Sequence, residues 1–298
     1  MSAARGADAW FAAAAAVVVE AAGLVVGAAA DGGRGAVAGG AIGLAAAGLL
    51  WRALTARGAR RERVRRAPFP EEWRRILGER YDHYHRLPPD LRRRFEGQVA
   101  VFLDETRITG VEVEVGVELR LLVAASAATL TAAWEGSHWD HLAEVLLYKQ
   151  DFGRDYSFDE SDLSGQAHPW GTVILSVPSL EESFDDPDDG FHVGLHEFAH
   201  LLDVEQTHFD GVPRGLDAAR TREWLDVVDK ELDRLRRGKS ALDPYAGESA
   251  AEFLAVAVET FFERPLALRA RHREVYAILR DYFGQDPAAW DDARGLRL

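Results

Sequence analysis

The distribution of apolar residues divides the chain into a short N-terminal part and a longer C-terminal part. Residues 10–30 and 36–54 are almost entirely Ala, Val, Leu and Gly, and a Gly-Gly-Arg-Gly turn separates the two runs. Each run is about long enough to cross a bilayer. Three interpretations are open: a transmembrane hairpin, a cleaved signal peptide that ends near Ala30, or a low-complexity helix that does not insert.

The basic stretch after the second apolar run favours insertion. Such a cluster of arginines marks the cytoplasmic side of a membrane protein, and here it consists of Arg52, Arg57, Arg60, Arg61, Arg63, Arg65 and Arg66. The sequence therefore predicts a transmembrane hairpin over residues 1–54, with membrane contact through residues 10–54, and a basic linker over 55–67. The globular domain of residues 68–298 would then face the cytoplasm from the cytoplasmic membrane. The alternative location is the cytosol.

The C-terminal part combines helical periodicity with short runs of β-branched residues. Helical spacing of apolar residues predicts helices in three segments, the first with a break at Leu87-Pro88-Pro89: residues 71–102, 120–134 and 221–237. Alternating or β-rich runs predict strands over residues 111–117, 145–148 and 172–177. Together these elements predict an α+β fold that is mainly helical with a small sheet, preceded by the apolar helical hairpin.

Composition narrows the chemistry that the domain can carry. Hydrophobic residues make up 47% of the chain, which is ample for a real core. The chain has no cysteine, so disulfides, thiolate zinc sites and cysteine nucleophiles are excluded, and His and carboxylates are the strong metal ligands that remain. The formal charge of -14 makes nucleic acid an unfavourable partner for the acidic body of the protein.

A His-Glu-x-x-His motif lies inside residues 194–203, a run that otherwise has the pattern of an apolar helix. His196 and His200 are one helical turn apart on the same face, so both imidazoles can bind a single metal ion. Glu197 is offset around the helix but close enough to reach a water on that metal, which is the arrangement of zinc hydrolases. The motif therefore predicts a catalytic metal site.

A catalytic zinc usually takes three protein ligands and keeps one position for water, so a third ligand is needed. The metzincin arrangement is excluded, because it requires Gly and His where this chain has Asp203 and Gln206. Two carboxylates remain as candidates. Glu223 lies near the position of the third ligand in thermolysin-like enzymes, whereas Glu252 lies in an apolar stretch where an unpaired charge is costly.

The surroundings of the two carboxylates favour Glu252. It is seven residues before Glu259, so both lie on almost the same face of a predicted helix, which can supply a ligand and a supporting carboxylate. The alternative role of Glu252 is a capping box with Ser249 at the start of that helix. Glu223 lies among exposed charged residues, where a solvated carboxylate is the simplest interpretation.

Two other polar groups are assigned structural roles. His138 and His141 lie in a turn bracketed by Trp residues without an accompanying carboxylate pattern, and we predict that they are surface histidines. The acidic loop of residues 185–190 is predicted to break the chain and to complement the positive end of the following helix, in preference to binding calcium.

From about Pro68 to Trp290 the sequence resembles the Mlc titration factor A family of zinc-dependent peptidases, whose metal site is similar to that of anthrax lethal factor. The matching pieces agree in order and spacing: Pro68-Phe69-Pro70 with Trp73, Leu87-Pro88 with Leu91-Arg92 and Phe95-Glu96, Gly171-Thr172-Val173-Ile174-Leu175-Ser176, His196 to Asp203, and Asp243-Pro244-Tyr245 with Ala251-Glu252-Phe253. The chain departs from the family at Ser249-Ala250, where Asn-Pro is usual. The first 67 residues lie outside the resemblance.

The resemblance implies a zincin-like metallopeptidase core over residues 68–298. It implies one zinc ion per chain, bound by His196, His200 and Glu252. It also implies Glu197 as general base and Tyr245 as a phenol that stabilises the tetrahedral oxyanion. The implied activity is hydrolysis of peptide bonds in short or exposed peptides, similar to the aminopeptidase-like behaviour of the family.

Two further hypotheses concern the binding of substrate and a function other than catalysis. In zinc peptidases an edge strand beside the motif helix commonly hydrogen-bonds an extended substrate, and residues 172–177 are the candidate for that role here. The rival to an enzyme is a binding protein that retains a structural zinc and sequesters a transcriptional regulator, as the family name suggests. A structural site is normally closed by four protein ligands, so the three candidate ligands favour the enzyme.

Overall fold

The computed structural model describes residues 3–136, 138–153, 156–157, 163–205 and 208–296. Its contacts divide the chain into two compact units, Met1–Ala67 and Pro68–Leu298. The two units are described separately below. The assignment of residues 1–54, 55–67 and 68–298 to a membrane hairpin, a basic linker and a peptidase domain remains a prediction.

The first unit is helical throughout α1 (Ala3–Arg66). A straight helix would separate Gly23 from Gly39 by about 24 Å, yet a Cβ added to Gly23 would lie 2.5 Å from the Gly39 carbonyl oxygen. A Cβ on Gly27 would likewise lie 2.1 Å from the carbonyl oxygen of Gly35. The helical chain therefore reverses between Gly27 and Gly35, and glycines allow the two arms to pack with their backbones in contact. The predicted apolar helical hairpin is confirmed.

Both arms of the hairpin present apolar side chains outward. The stretches Ala13–Ala30 and Gly33–Arg66 are long and apolar enough to cross a membrane, by length and composition alone. Among the residues of this unit whose side chains are described, the exposed large apolar ones are Val17, Val18, Leu24, Val25, Val26, Val37, Ile42, Leu44, Leu49, Trp51 and Leu54. Such an exposed apolar surface on a hairpin is what a lipid environment would cover.

The second unit is built mainly of helices. They are α2 (Glu71–Arg80), α3 (Asp82–Arg86), α4 (Pro89–Glu105), α5 (Val117–Thr131), α6 (Val177–Asp185), α7 (Val193–Asp203), α8 (Ala218–Arg236), α9 (Ala250–Glu263), α10 (Pro265–Arg271), α11 (Arg273–Phe283) and α12 (Pro287–Ala293). A 3₁₀ turn, Pro244–Gly247, precedes α9. The predicted helical segments are confirmed, although the first is divided once more at Tyr81 and the other two begin three residues early.

Among the described residues, the sheet of the second unit has four strands, which are β1 (Arg107–Val111), β2 (Glu144–Tyr148), β3 (Gly165–Ala167) and β4 (Thr172–Ser176). Their order is β1-β2-β4-β3, with β1, β2 and β4 parallel and β3 antiparallel to β4. A separate two-stranded ribbon consists of β5 (Val204–Glu205) and β6 (His208–Phe209). The α+β, mainly helical class with a small sheet is therefore confirmed.

Two strand predictions need correction. The strand expected over residues 111–117 is wrong, because Glu112 takes a φ of 58° that ends β1, and the chain then turns into α5. The alternation that suggested a strand arises because Val113 and Val115 pack on the core from this turn. The strand over residues 172–177 exists as β4, but it lies between β2 and β3 and is not the edge strand. That edge is β3.

The motif helix α7 is buried along its whole length. It packs between α5 and α9 and against strand β3. Gly194 allows the closest of these contacts, since a Cβ there would lie 2.3 Å from the hydroxyl oxygen of the fully buried Ser126 on α5. The position of the motif helix therefore depends on a residue without a side chain.

We predict that Gly194→Ala destabilises the protein by about 1–3 kcal/mol, because the added methyl overpacks the contact between α7 and α5. Gly78→Ala is the matched control, since Gly78 also lies inside a helix, but a Cβ added there would be 3.6 Å from its nearest neighbour, an atom of His85. There alanine should increase the stability by about 0.5–1 kcal/mol. Denaturant unfolding of both variants measures the difference, and equal effects would contradict the packing argument.

Candidate metal centre

Three side chains from two helices converge on one point. His196 and His200 come from α7, and Glu252 comes from the first turn of α9. Oε2 of Glu252 lies 3.0 Å from Nε2 of His196 and 3.5 Å from Nε2 of His200. Within the described part of the chain, these three form the group of His and carboxylate side chains close enough together to hold a metal ion, with all ligand atoms within 4.8 Å of one another.

The spacing and the chemistry of these donors fit a small metal ion. Ligand atoms 2.0–2.1 Å from a tetrahedral ion lie about 3.3 Å from one another, and the separations of 3.0 and 3.5 Å between Glu252 and the two histidines bracket that value. Two imidazole nitrogens and one carboxylate oxygen are a donor set typical of divalent metals in hydrolytic sites. The arrangement therefore suits a bound metal at this point.

Glu259 holds His196 in the required orientation. One oxygen of its buried carboxylate bonds Nδ1 of His196, and the other accepts a hydrogen bond of 3.1 Å from the main-chain N–H of His192. This contact leaves Nε2 of His196 directed at Glu252. A carboxylate behind a metal-binding histidine commonly fixes the ring and its tautomer, so the supporting role predicted from the shared face of α9 agrees with the geometry.

The sequence offered two roles for Glu252, a metal ligand or a capping box with Ser249, and the structure shows features of both. The hydroxyl of Ser249 accepts a hydrogen bond of 3.1 Å from the main-chain N–H of Glu252, so Ser249 caps α9. The carboxylate of Glu252, however, faces the two histidines. Burial alone raises the pKa of Glu252, but the hydrogen bonds from His196 and His200 outweigh burial and hold this pKa well below its ordinary value.

The rival third ligand lies outside the group. Glu223 is on α8, where its side chain is 56% exposed and lies 3.8 Å from the guanidinium of Arg220. This is the solvated carboxylate that its charged neighbours suggested. The structure therefore brings Glu252, and not Glu223, to the two histidines.

Glu197 lies between α7 and the edge strand β3. Its side chain is buried, and a Cβ added to Gly165 of β3 would lie 2.6 Å from Oε1 of Glu197. Glycine at this position therefore leaves room for the carboxylate. Burial raises the pKa of Glu197 above its ordinary value.

Tyr245 reaches the same region from the 3₁₀ turn. The carboxylate of Asp243 caps this turn by accepting a hydrogen bond of 2.8 Å from the main-chain N–H of Tyr245. The phenol ring lies 5.9 Å from the ring of His196, centroid to centroid, and is 44% exposed. Burial, together with the charges of Glu252 and Glu248, raises the pKa of Tyr245 to about 12. Its hydroxyl is therefore protonated at neutral pH and can donate a hydrogen bond.

A cavity of about 800 Å³ opens beside the motif helix. His196, Glu197 and Tyr245 line one side, and α10 lines another. Sequence reasoning missed this cavity, because its walls come from segments far apart in the chain and no local pattern marks them. It also missed β3, whose Gly-Gln-Ala sequence has no strand signature.

His138, His141 and the acidic loop of residues 185–190 are not part of the group of side chains that could hold a metal ion. His141 is exposed, as predicted, whereas His138 is only half-buried and packs edge-on against Trp134 with ring centroids 4.8 Å apart. The acidic loop separates α6 from α7, as predicted, and within it Asp189 accepts a hydrogen bond of 2.7 Å from the main-chain N–H of Phe191.

The part of the chain that contains these residues is similar in sequence to known proteins. Residues 56–284 match the sequence model of the family described as glucose-regulated metallo-peptidase M90. An uncharacterized protein of Synechocystis sp. is 28% identical over 244 residues, which cover 76% of this chain and 89% of that protein. A protein named Mlc titration factor A from Yersinia pestis (strain Pestoides F) is 32% identical over 189 residues, or 57% of this chain and 67% of that protein. The matched residues 56–284 contain His196, His200 and Glu252.

We predict that Glu252→Gln loses bound metal, because the neutral amide removes one of the three ligands and the negative charge of the group. Glu223→Gln is the matched control and should keep the parent's metal content, with a change in stability of about 0.5 kcal/mol or less. Elemental analysis of the two purified variants measures the metal per chain. Retention of metal by Glu252→Gln together with its loss from Glu223→Gln would reverse the assignment.

Proposed function

The chain belongs to the glucose-regulated metallo-peptidase M90 family, and from this premise we propose that it is a zinc peptidase that hydrolyses peptide bonds in short or exposed peptides. The observation that carries the proposal is the convergence of two histidines and Glu252 beside a buried glutamate, Glu197, at the wall of an open cavity. A metallopeptidase needs these three parts: a metal site, a base and access for a substrate.

Zinc is the metal that we propose for the site, one ion per chain, in the arrangement of gluzincins. Two His and one Glu are its ligands in that class, and a fourth position is kept for water. A structural zinc site is usually closed by four protein ligands. The group of His196, His200 and Glu252 supplies three, which supports a catalytic role.

Glu197 and Tyr245 are the groups that we propose act on the substrate. Zinc, when bound, supplies a Lewis acid that polarises the scissile carbonyl and lowers the pKa of water to about 7. Glu197 accepts the proton of the attacking water and later donates it to the leaving amine. The hydroxyl of Tyr245 donates a hydrogen bond to the oxyanion that develops on the scissile carbonyl.

We assign the proposed substrate-binding role to strand β3, because residues 172–176 form β4, which is not at the edge of the sheet. Strand β3 ends the four-stranded sheet, and its Gly165 lies against Glu197. An extended peptide can add to such an edge through main-chain hydrogen bonds. We propose that the substrate binds along β3, with its scissile bond between Glu197 and the metal ligands.

Binding of a protein partner is a second candidate role, which a relative's name favours. Relatives of this chain are called Mlc titration factor A, and a titrating role requires binding of a partner, here a transcriptional regulator, without chemistry. Glu197→Gln distinguishes the two roles, because it removes the base but leaves the protein surface unchanged.

We also propose that α1 anchors the protein in the cytoplasmic membrane, with the second unit in the cytoplasm. The exposed apolar residues of both arms support insertion, and the arginines that follow support the orientation.

We predict that Glu197→Gln keeps its metal and loses peptidase activity, because the amide cannot accept the proton of water. Tyr245→Phe should keep its metal and lower kcat by about a hundredfold, the effect of one oxyanion donor. Tyr282→Phe serves as control, since the Tyr282 hydroxyl bonds the main-chain oxygen of Arg214 elsewhere. Cleavage of fluorogenic peptides, measured with the metal content of each variant, tests the mechanism. Turnover by Glu197→Gln at the parent rate would exclude it.

We predict that the full chain stays in the membrane pellet after a high-salt wash and that detergent releases it. A reporter fused after Leu298 should report the cytoplasm. Val25→Asp places a charge on an exposed position of the first arm and should reduce the membrane fraction, because a central Asp costs about 2.5–3.5 kcal/mol of insertion free energy. If salt alone releases the full chain, the attachment is peripheral and the hairpin does not insert.

A further inference from the structure

One face of α10 forms a wall of the cavity beside the proposed catalytic groups. Arg264, which precedes the helix, lines the cavity together with Ala267, Leu268 and Arg271. These positions are three or four residues apart, so they share one helical face. The two arginines lie at opposite ends of that face, with about 10 Å of helix between them.

Apart from Glu197 and Tyr245, much of the cavity lining is apolar or already hydrogen-bonded. Leu242, Val256 and Leu268 form buried apolar parts of its lining. Three of the four lining carboxylates accept main-chain hydrogen bonds: Glu259 from His192, Asp189 from Phe191 and Asp243 from Tyr245. The fourth is Glu197. The imidazole of His272 bonds Glu231 through Nδ1 and accepts from the main-chain N–H of Ala241 through Nε2.

The two arginines differ from two nearby arginines, Arg269 and Arg234, in having no acidic partner in the described part of the chain. Arg269, on the other side of α10, pairs with Asp292 at 2.8 Å, and Arg234 pairs with Glu231 at 2.6 Å. Neither Arg264 nor Arg271 lies within 4.0 Å of a carboxylate oxygen among the residues that the structure describes. Both arginines are exposed, so their guanidinium groups are available to an anionic ligand in the cavity that they line.

The position of Glu197 relates the cavity to one side of the scissile bond. Glu197 and His196 line the cavity, whereas His200 and Glu252 do not. If Glu197 donates its proton to the leaving amine, that amine must lie on the Glu197 side of the metal ligands. The residue that carries the amine, which follows the scissile bond, is then the one nearest to the cavity.

We propose that this cavity binds the part of the substrate that follows the scissile bond, and that Arg264 and Arg271 recognise a carboxylate there. The inference rests on the proposed peptidase function. A guanidinium binds a carboxylate through two parallel hydrogen bonds, which give both attraction and orientation. The carboxylate belongs either to an acidic side chain or to the carboxyl terminus of a short peptide.

Matched peptides test the proposal on the full, metal-loaded chain. One pair carries Glu or Gln directly after the scissile bond, and another pair ends in a free or an amidated carboxyl group at the next position. We expect at least one pair to show a preference for the acid of about tenfold or more in kcat/KM, the effect of a charge-assisted hydrogen bond. Which pair shows it identifies the source of the carboxylate.

Variants connect that preference to the arginines. Arg264→Met or Arg271→Met should reduce the acid-to-neutral ratio of kcat/KM by about tenfold. Arg273→Met is the matched control, because Arg273 is exposed at the start of α11 and outside the cavity lining, and it should keep the parent ratio. Using the ratio for a single protein removes differences in folding or metal content between variants.

Binding to the Glu197→Gln chain, measured by calorimetry with the same peptides, separates the two hypotheses. Cleavage of all peptides without an acid preference, or with a preference that both arginine variants retain, overturns the carboxylate site but leaves the peptidase intact. If the parent cleaves no peptide, tighter binding of the acidic peptides still supports the site while the proposed function fails. Equal binding of acidic and neutral peptides overturns the site in either case.

Discussion

The contact between Glu259 and the start of α7 is the interaction on which the candidate site depends. Both oxygens of this buried carboxylate are used, one on the imidazole of His196 and one on the main-chain N–H of His192. A buried carboxylate without such partners would be strongly unfavourable, so the two helices have a defined rotation and register. Because Glu252 is on the same helix, the contact that orients one histidine also positions the carboxylate opposite it.

The far end of α7 is tied to α9 as well. The buried Asp203 accepts hydrogen bonds from the main-chain N–H groups of Asp210, Gly211 and Val212. Gly211 has a φ of +80°, and a Cβ there would lie 2.4 Å from the carbonyl carbon of Ala250, the first residue of α9. Burial raises the pKa of Asp203 to about 7. The motif helix is therefore fixed against α9 at both ends, which suits a site whose ligands come from both.

The sequence predicted the parts of this site that follow from helical periodicity. His196 and His200 are four residues apart, and Glu252 and Glu259 are seven apart, so a single helical face explains each pair. Features that depend on tertiary contact could not be predicted in this way. Strand β3 is three residues long and forms because β4 offers it a partner, and Val113 and Val115 alternate because a turn presents both to the core.

The charges of the site explain why a cation suits it. Glu197, Glu252 and Glu259 place three carboxylates around the two imidazoles, and all five side chains are mostly removed from solvent. Burial lowers the pKa of His196, but the carboxylates of Glu259 and Glu252 outweigh burial and hold it well above its ordinary value. The same surroundings that favour a proton on this imidazole favour a divalent metal ion, which brings two positive charges and accepts three ligands at once. Helix packing has thus collected negative charge at a point where a metal ion would offset it.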